Sequence, residues 1–214
     1  MKTFKLHLIR HGLTQGNLDG VYVGGGSDVP LCEQGEQQLR QLAARHSYPA
    51  VHTVFSSPMQ RALQSAEILF PHAEEKIVLE DLRESVFGEF EGKKVADLME
   101  DERFTRWLDP KSGFVPEGGE SGQDFSARTI RALGSIWKYL MERGIYEAAC
   151  LTHGGVIMSI LGQKAVPRKP PAQWMADNGC GFTIQTSAAL LMRDDLVEAV
   201  AIVPAGYLDG EPDS

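Results

Sequence analysis

The chain is short of cysteine, has no surplus of positive charge and contains no long apolar run, and each scarcity removes a class of protein. Its three cysteines, Cys32, Cys150 and Cys180, are odd in number and widely spaced, which suits reduced thiols and speaks against a disulfide framework or a zinc cluster. Lys and Arg total 21 against 29 Asp and Glu, so the net charge is −8 and no general attraction for nucleic acid or an anionic membrane surface is expected. No stretch is apolar enough to span a bilayer, and the opening residues, MKTFKLHLIRHG, alternate apolar and polar side chains where a secretion signal has an unbroken apolar core. The expected location is cytoplasmic. Internal repeats, low-complexity tracts and a dividing linker are also missing, so a single domain over 1–214 is predicted, with a short flexible tail after about Pro204.

What is present is a globular composition, 43% hydrophobic and 23% charged, carried on alternating strand-like and helix-like segments. Phe4, Leu6, Leu8 and Ile9 predict a strand ending at Arg10, followed by a glycine-rich loop through Gly24, Gly25 and Gly26 and a helix from about Glu33 to Arg45. A strand at Val51–Phe55 leads into SSPMQRALQSAEILF, read as a helix with Ser57 as cap, Pro58 in first position and Gln60 completing a capping box. A strand over Lys76–Leu79 runs into the acidic loop DLRESVFGEFEG, and short helical pieces cover Lys93–Leu108. The Pro- and Gly-rich DPKSGFVPEGGESG predicts a long surface loop of the kind that shapes substrate sites. Then come a helix over Ser121–Glu142, a buried strand at Glu147–Leu151, a helix over Gly154–Leu161 stopped by Gly162, and strands over roughly Gly181–Met192 and Leu196–Ile202. This order predicts an α/β three-layer sandwich with a mostly parallel central sheet flanked by helices.

In open α/β sheets ligands bind beyond the carboxyl ends of the strands. There the first strand delivers Arg10, His11 and Gly12, the second Ser56, Ser57 and, one turn on, Arg61, and the strand at Glu147–Leu151 delivers Thr152, His153 and Gly154. Two arginines and two histidines converging on one edge suit a phosphoryl group, whose transfer depends on positioning and on neutralising its oxygens. Guanidinium neighbours keep an imidazole neutral, which leaves His11 nucleophilic. Departure of an alkoxide requires a proton, and Asp81, Glu84, Glu89 and Glu91 are all candidates to supply it. His7, His46, His52 and His72 read as structural or solvated, and Trp107, Trp137 and Trp174 as core or cover, with Trp107 placed to touch substrate.

The run LIRHGLTQGN, from Leu8 to Asn17, resembles the RHG signature of the histidine phosphatase superfamily, the group that includes the cofactor-dependent phosphoglycerate mutases. The likeness continues in family order through GVYVGGGSDVPLCEQG, FSSPMQRALQSAE, LRESVFGEFEG, PEGGES and LTHGGV. It implies His11 as the phosphorylated nucleophile, Arg10, Arg61 and His153 as the phosphate pocket, Glu84 as the proton donor and Asn17 in the pocket lining, with Thr14, Val23 and Gly24 near the substrate. It further implies a phosphoglycerate mutase-like fold with no metal and no organic cofactor. Many members carry Glu after the triplet where this chain has Leu13, which removes an anion beside the pocket. The chain is short for a mutase, and its loops look closer to the α-ribazole phosphatases and broad-specificity phosphatases, so hydrolysis of a small phosphomonoester is expected.

Three other readings compete. His11, His153 and Glu84 form a His-His-carboxylate set of the kind that holds a water-activating metal, although the short-spaced ligand pair usual for zinc is missing and two arginines would repel a dication. A mutase would return the phosphoryl group to a bound acid, and a non-catalytic module would only recognise phosphate. The expected partner is a small phosphorylated substrate, with no nucleic acid and no membrane; the oligomeric state is left open, a homodimer included.

Overall fold

The computed structural model describes residues 2–109 and 112–207. Its elements in chain order are β1 (Thr3–Arg10), α1 (Gln15–Leu18), α2 (Glu33–Arg45), β2 (Thr53–Ser56), α3 (Gln60–Leu69), β3 (Glu75–Val78), α4 (Val95–Leu98), α5 (Glu102–Leu108), α6 (Gly122–Arg143), β4 (Glu147–Thr152), α7 (Gly154–Lys164), β5 (Ala165–Val166), β6 (Gly181–Ser187), α8 (Ala188–Asp194) and β7 (Val197–Val203). The strands form one sheet in the order β3-β2-β4-β1-β6-β7-β5. Pairings β3/β2, β2/β4, β4/β1 and β7/β5 are parallel, and β6 runs antiparallel to both β1 and β7, so the sheet is mostly parallel as predicted.

Side chains alternate across a strand, and that period assigns them to two cores. Phe4, Leu6 and Leu8 of β1, Phe55 of β2 and Ala148 and Cys150 of β4 pack on one face against α6 and α7. Ile9, Val54, Ala149 and Leu151 pack on the other, against Leu39 of α2 and Ala62, Ala66 and Leu69 of α3. Helix α6 presents Leu133, Ile136, Trp137 and Leu140 as a continuous stripe, all at most 4% exposed. Each large apolar side chain buried in this way contributes about 1.5–3 kcal/mol. Ser121 Oγ caps α6 by accepting from the Asp124 amide, and Gly144, at φ +66°, closes it in the left-handed region. A third, smaller cluster of Phe87, Phe90, Leu98 and Phe104, with Tyr22 and Trp107 against it, sits apart from the sheet.

Several predicted boundaries shift, each for a tertiary reason. Helix α3 starts at Gln60, because the chain stays extended through Met59. Ser57 is not its cap: the Gln60 amide donates instead to Asp28 Oδ1 at 2.7 Å, from a loop remote in sequence. Gly162 does not stop α7, which continues to Lys164. It is glycine for space, since an added Cβ would lie 2.8 Å from the Pro171 ring. The strand predicted over Gly181–Met192 ends at Ser187, whose hydroxyl accepts from the Leu190 amide and opens α8. The predicted tail is held as far as Tyr207: Ser47 and Ala205 exchange backbone hydrogen bonds, and the Tyr207 hydroxyl donates to Asp177 at 2.6 Å. The rest of the tail, 208–214, and residues 110–111 of the loop before α6 lie outside the described residues. Among the described residues no helix is long and apolar enough to cross a membrane.

Candidate active site

Strands β1 and β4 are parallel neighbours with Arg10 opposite Thr152. The next residue of each therefore leaves the sheet at the same level, and the rings of His11 and His153 stand 5.1 Å apart, centroid to centroid, at 62°. The Nδ1 of His11 lies 2.7 Å from the Gly12 carbonyl. A carbonyl can only accept, so Nδ1 carries the proton and Nε2 the lone pair. Burial, then Arg61, then Arg10 hold the imidazolium form well below its usual range, so His11 is neutral at pH 7. His153 is fully buried and shifted the same way, chiefly by burial and next by His11. Its Nε2 lies 2.8 Å from Ser57 Oγ, and its Nδ1 has no partner among the described residues.

Arg61 is the second residue of α3, 1% exposed, and donates to the carbonyls of Gly24 and Ser27 at 3.0 Å each. Arg10 donates to the Ala176 carbonyl at 2.9 Å and keeps a buried Nε with no partner among the described residues. Glu84 is 7% exposed and accepts from two backbone amides at 2.9 Å, Ser85 on Oε1 and Gly155 on Oε2. Burial raises its pKa against the pull of those amides and of Arg61 and Arg10, which favours the protonated acid. The other carboxylates considered have partners elsewhere: Asp81 faces Arg131, Glu89 faces Arg103, and Glu91 accepts from the amides of Gly24 and Gly26 and from the Ser27 hydroxyl.

Arg10, His11, Arg61 and Glu84 line a cavity of about 340 Å³ with Thr14, Asn17, Tyr22, Val23, Phe87 and Trp107, and fully buried His153 stands against His11 outside that lining. The Asn17 side-chain oxygen accepts from the Thr14 amide and hydroxyl, both at 3.0 Å, leaving its amide nitrogen as a donor at the cavity. Thus His11, His153, Arg10, Arg61, Glu84, Asn17, Thr14 and Val23 come together. Gly24 does not line the cavity; it sits behind Arg61, and a Cβ there would lie 2.4 Å from the Ser85 carbonyl. Among the described residues no three His, Cys, Asp or Glu side chains are grouped to hold a metal ion.

Residues 6–186 match the family model of the histidine phosphatase superfamily, branch 1. The chain belongs to the histidine phosphatase superfamily. Among relatives of this histidine phosphatase chain, an adenosylcobalamin/alpha-ribazole phosphatase of Escherichia coli (strain K12) is 29% identical over 185 residues, covering 84% of this chain and 89% of that protein. A "Probable phosphoglycerate mutase" of Enterobacter sp. (strain 638) is 34% identical over 167 residues, 75% of this chain and 76% of the other. In fold, the superfamily member resembles the alpha-ribazole phosphatase from Shigella flexneri, with a TM-score of 0.74 at 23% identity over 94% of this chain and 96% of that one.

Two parts of the site escaped the sequence reading. Ser57 stands at the strand end as expected, but its hydroxyl faces His153 rather than capping a helix; the SSP run shows a polar turn but not its direction. Arg128 of α6 donates to the carbonyls of Asp81, Arg83 and Glu84 at 3.0, 2.6 and 3.0 Å and pairs with both oxygens of Glu120. It braces the loop that carries Glu84 from a helix far along the chain, and no local pattern marks it.

Proposed function

We propose that the protein is a phosphatase that hydrolyses a small phosphomonoester through a phosphoryl group carried on Nε2 of His11. The observation that carries this reading is the free Nε2 lone pair of a neutral, buried imidazole set among Arg10, Arg61 and His153. The arginines bind the phosphoryl oxygens, and the unpartnered Nε of Arg10 and Nδ1 of His153 have donor capacity left for the same anion. Attack by Nε2 forms the N–P bond as the ester P–O bond breaks, and protonated Glu84 gives its proton to the departing alkoxide. Glu84, now ionised, takes a proton from water, whose oxygen forms a new P–O bond as the N–P bond breaks. The pair of amides on its carboxylate steadies that ionised stage.

Rapid-quench mass spectrometry during turnover should show the chain heavier by one phosphoryl group, and His11→Ala should show neither the adduct nor turnover. An active His11→Ala enzyme would remove the proposal. The relative named as a phosphoglycerate mutase motivates one control: incubation with 3-phosphoglycerate and its 2,3-bisphosphate should give no 2-isomer. The alpha-ribazole phosphatases among the relatives make alpha-ribazole phosphate one candidate in the substrate screen.

A further inference from the structure

The cavity over His11 divides unevenly between charge and apolar surface. Its charged lining side chains, among the described residues, are Arg10, Arg61 and Glu84, all of which belong to the phosphate cradle. Beyond the cradle the wall is largely apolar, built from Tyr22, Phe87, Trp107, Phe125, Met158 and Met175. This surface is anchored. Tyr22 stacks on Phe87 at 4.2 Å, Phe87 meets Trp107 edge-on at 5.3 Å, and Phe90 and Phe104, at most 2% exposed, pack beneath. The third hydrophobic cluster therefore supports an aromatic wall of the cavity that also holds His11, Arg10 and Arg61.

Three cations carried by the same part of the chain are directed elsewhere. Arg103 pairs with Glu89 and Asp101, Lys93 lies over the Phe90 ring, and Arg106 lies over Phe114. A second carboxylate or phosphate on the substrate would lose its water here and, among the described residues that line the cavity, meet no guanidinium or ammonium outside the cradle. A flat apolar group would meet rings already held in place, at little ordering cost.

We infer that this enzyme is selective for phosphomonoesters whose leaving group is uncharged and presents an aromatic face to Tyr22, Phe87 and Trp107, and that it discriminates against substrates carrying a second anion. The inference deepens the phosphatase reading above and rests on it. Its test uses three alkyl esters of closely similar leaving-group chemistry: 3-phenylpropyl phosphate, propyl phosphate and 2-carboxyethyl phosphate. The expected order of kcat/KM places the phenylpropyl ester at least about tenfold above propyl, a factor that requires only about 1.4 kcal/mol, and the carboxylate ester below propyl. Trp107→Ala should bring the phenylpropyl-to-propyl ratio toward one. Val95→Lys, at a 38% exposed position of the cavity wall, adds the missing cation without opening the core and should raise the carboxylate ester relative to propyl by about tenfold. A carboxylate ester that matches or beats the phenylpropyl ester in the unmodified enzyme overturns the inference. Turnover of p-nitrophenyl phosphate, lost in His11→Ala, separates the two levels: if it holds while the predicted order fails, only the selectivity is wrong; if no ester is turned over, both fall.

Discussion

Replacing Glu84 with Gln is the substitution from which the most can be read. The side chain keeps its length, but one of its two oxygens becomes an NH₂ group facing a backbone N–H, of either Ser85 or Gly155, each of which now donates at 2.9 Å. One buried amide loses its acceptor, at a cost of about 1–3 kcal/mol in stability. The chemical loss is of a different kind. A positioned general acid contributes about 10²–10⁴-fold, and that factor applies when the departing oxygen is a poor leaving group. For an alkyl phosphate, kcat/KM, which reports only the steps through phosphoenzyme formation, should therefore fall by about 10²–10⁴, while for p-nitrophenyl phosphate, whose phenolate leaves without help, it should fall far less; the loss of Glu84 as base in the later step touches both esters alike. The pH profile gives a second sign. On the proposed mechanism activity requires neutral His11 and protonated Glu84; burial and the arginines move His11 downward and burial moves Glu84 upward, and both shifts raise the fraction of protein in that protonation state. The rate should fall on the alkaline side as Glu84 ionises, and Glu84→Gln should abolish that limb. The assay is steady-state kcat/KM for both esters across pH, with thermal unfolding to measure the stability cost separately. Equal losses for the two esters, or an alkaline limb that survives, would refute the assignment of Glu84 as acid.

Three further outcomes are expected. Ser57→Ala leaves Nε2 of His153 without its 2.8 Å partner and should lower kcat/KM by about ten- to a hundredfold, measured as slower phosphoenzyme formation at unchanged secondary structure. Buried His7, His11 and His153 all have folded pKa values below 6.5, so their contribution to stability is present above that pH and is lost as pH falls, when the unfolded chain takes up protons that the native rings refuse; Glu84, shifted upward, works in the opposite sense, contributing below 4.5 and losing that contribution as pH rises through its folded value. Urea melts at pH 7 and pH 5.5 should show the histidine loss, and equal midpoints would contradict it. Gly35→Ala should destabilise the fold by about 1–3 kcal/mol, because a Cβ there would lie 2.1 Å from the Leu13 carbonyl, a backbone atom that cannot swing aside; an unchanged melting temperature would count against that packing.

The strands and long helices were legible because their signals are local: period-two alternation in β1, the Leu133, Ile136, Trp137, Leu140 stripe and the Ser121 cap of α6 each occupy a few adjacent residues. So was the union of His11 and His153, since a parallel sheet brings strand ends together. What local pattern could not supply was any interaction whose partner is remote. Asp28 capping α3, Pro171 occupying the space beside Gly162 and Arg128 bracing the Glu84 loop each join positions nine to 47 residues apart in the chain. The same limit explains why Asp81, Glu84, Glu89 and Glu91 could not be separated by spacing. Their sequence context is similar, and the distinction lies in which one is turned inward to the Gly155 amide and which meet Arg131, Arg103 or the Gly24 loop.

That inward turn also explains why the site stays assembled although it gathers groups that water would solvate better. Arg61, Glu84, His11 and His153 are each at most 7% exposed, and burying ionisable groups is unfavourable unless their polar atoms find partners. Most of those partners are backbone: Arg61 on the Gly24 and Ser27 carbonyls, Glu84 on two amides, His11 on the carbonyl beside it. Backbone groups fixed by the sheet and the two large cores reorganise little when charge moves, so the site proposed to receive a phosphoryl group is preorganised for it. The polar atoms left without partners are then informative. Arg10 Nε and His153 Nδ1 are buried and unmatched among the described residues, at the two strand ends that frame His11. On the proposed reading a bound tetrahedral oxyanion would supply acceptors to both, and inorganic phosphate should therefore raise the melting temperature of the free protein, with His153→Ala reducing that rise.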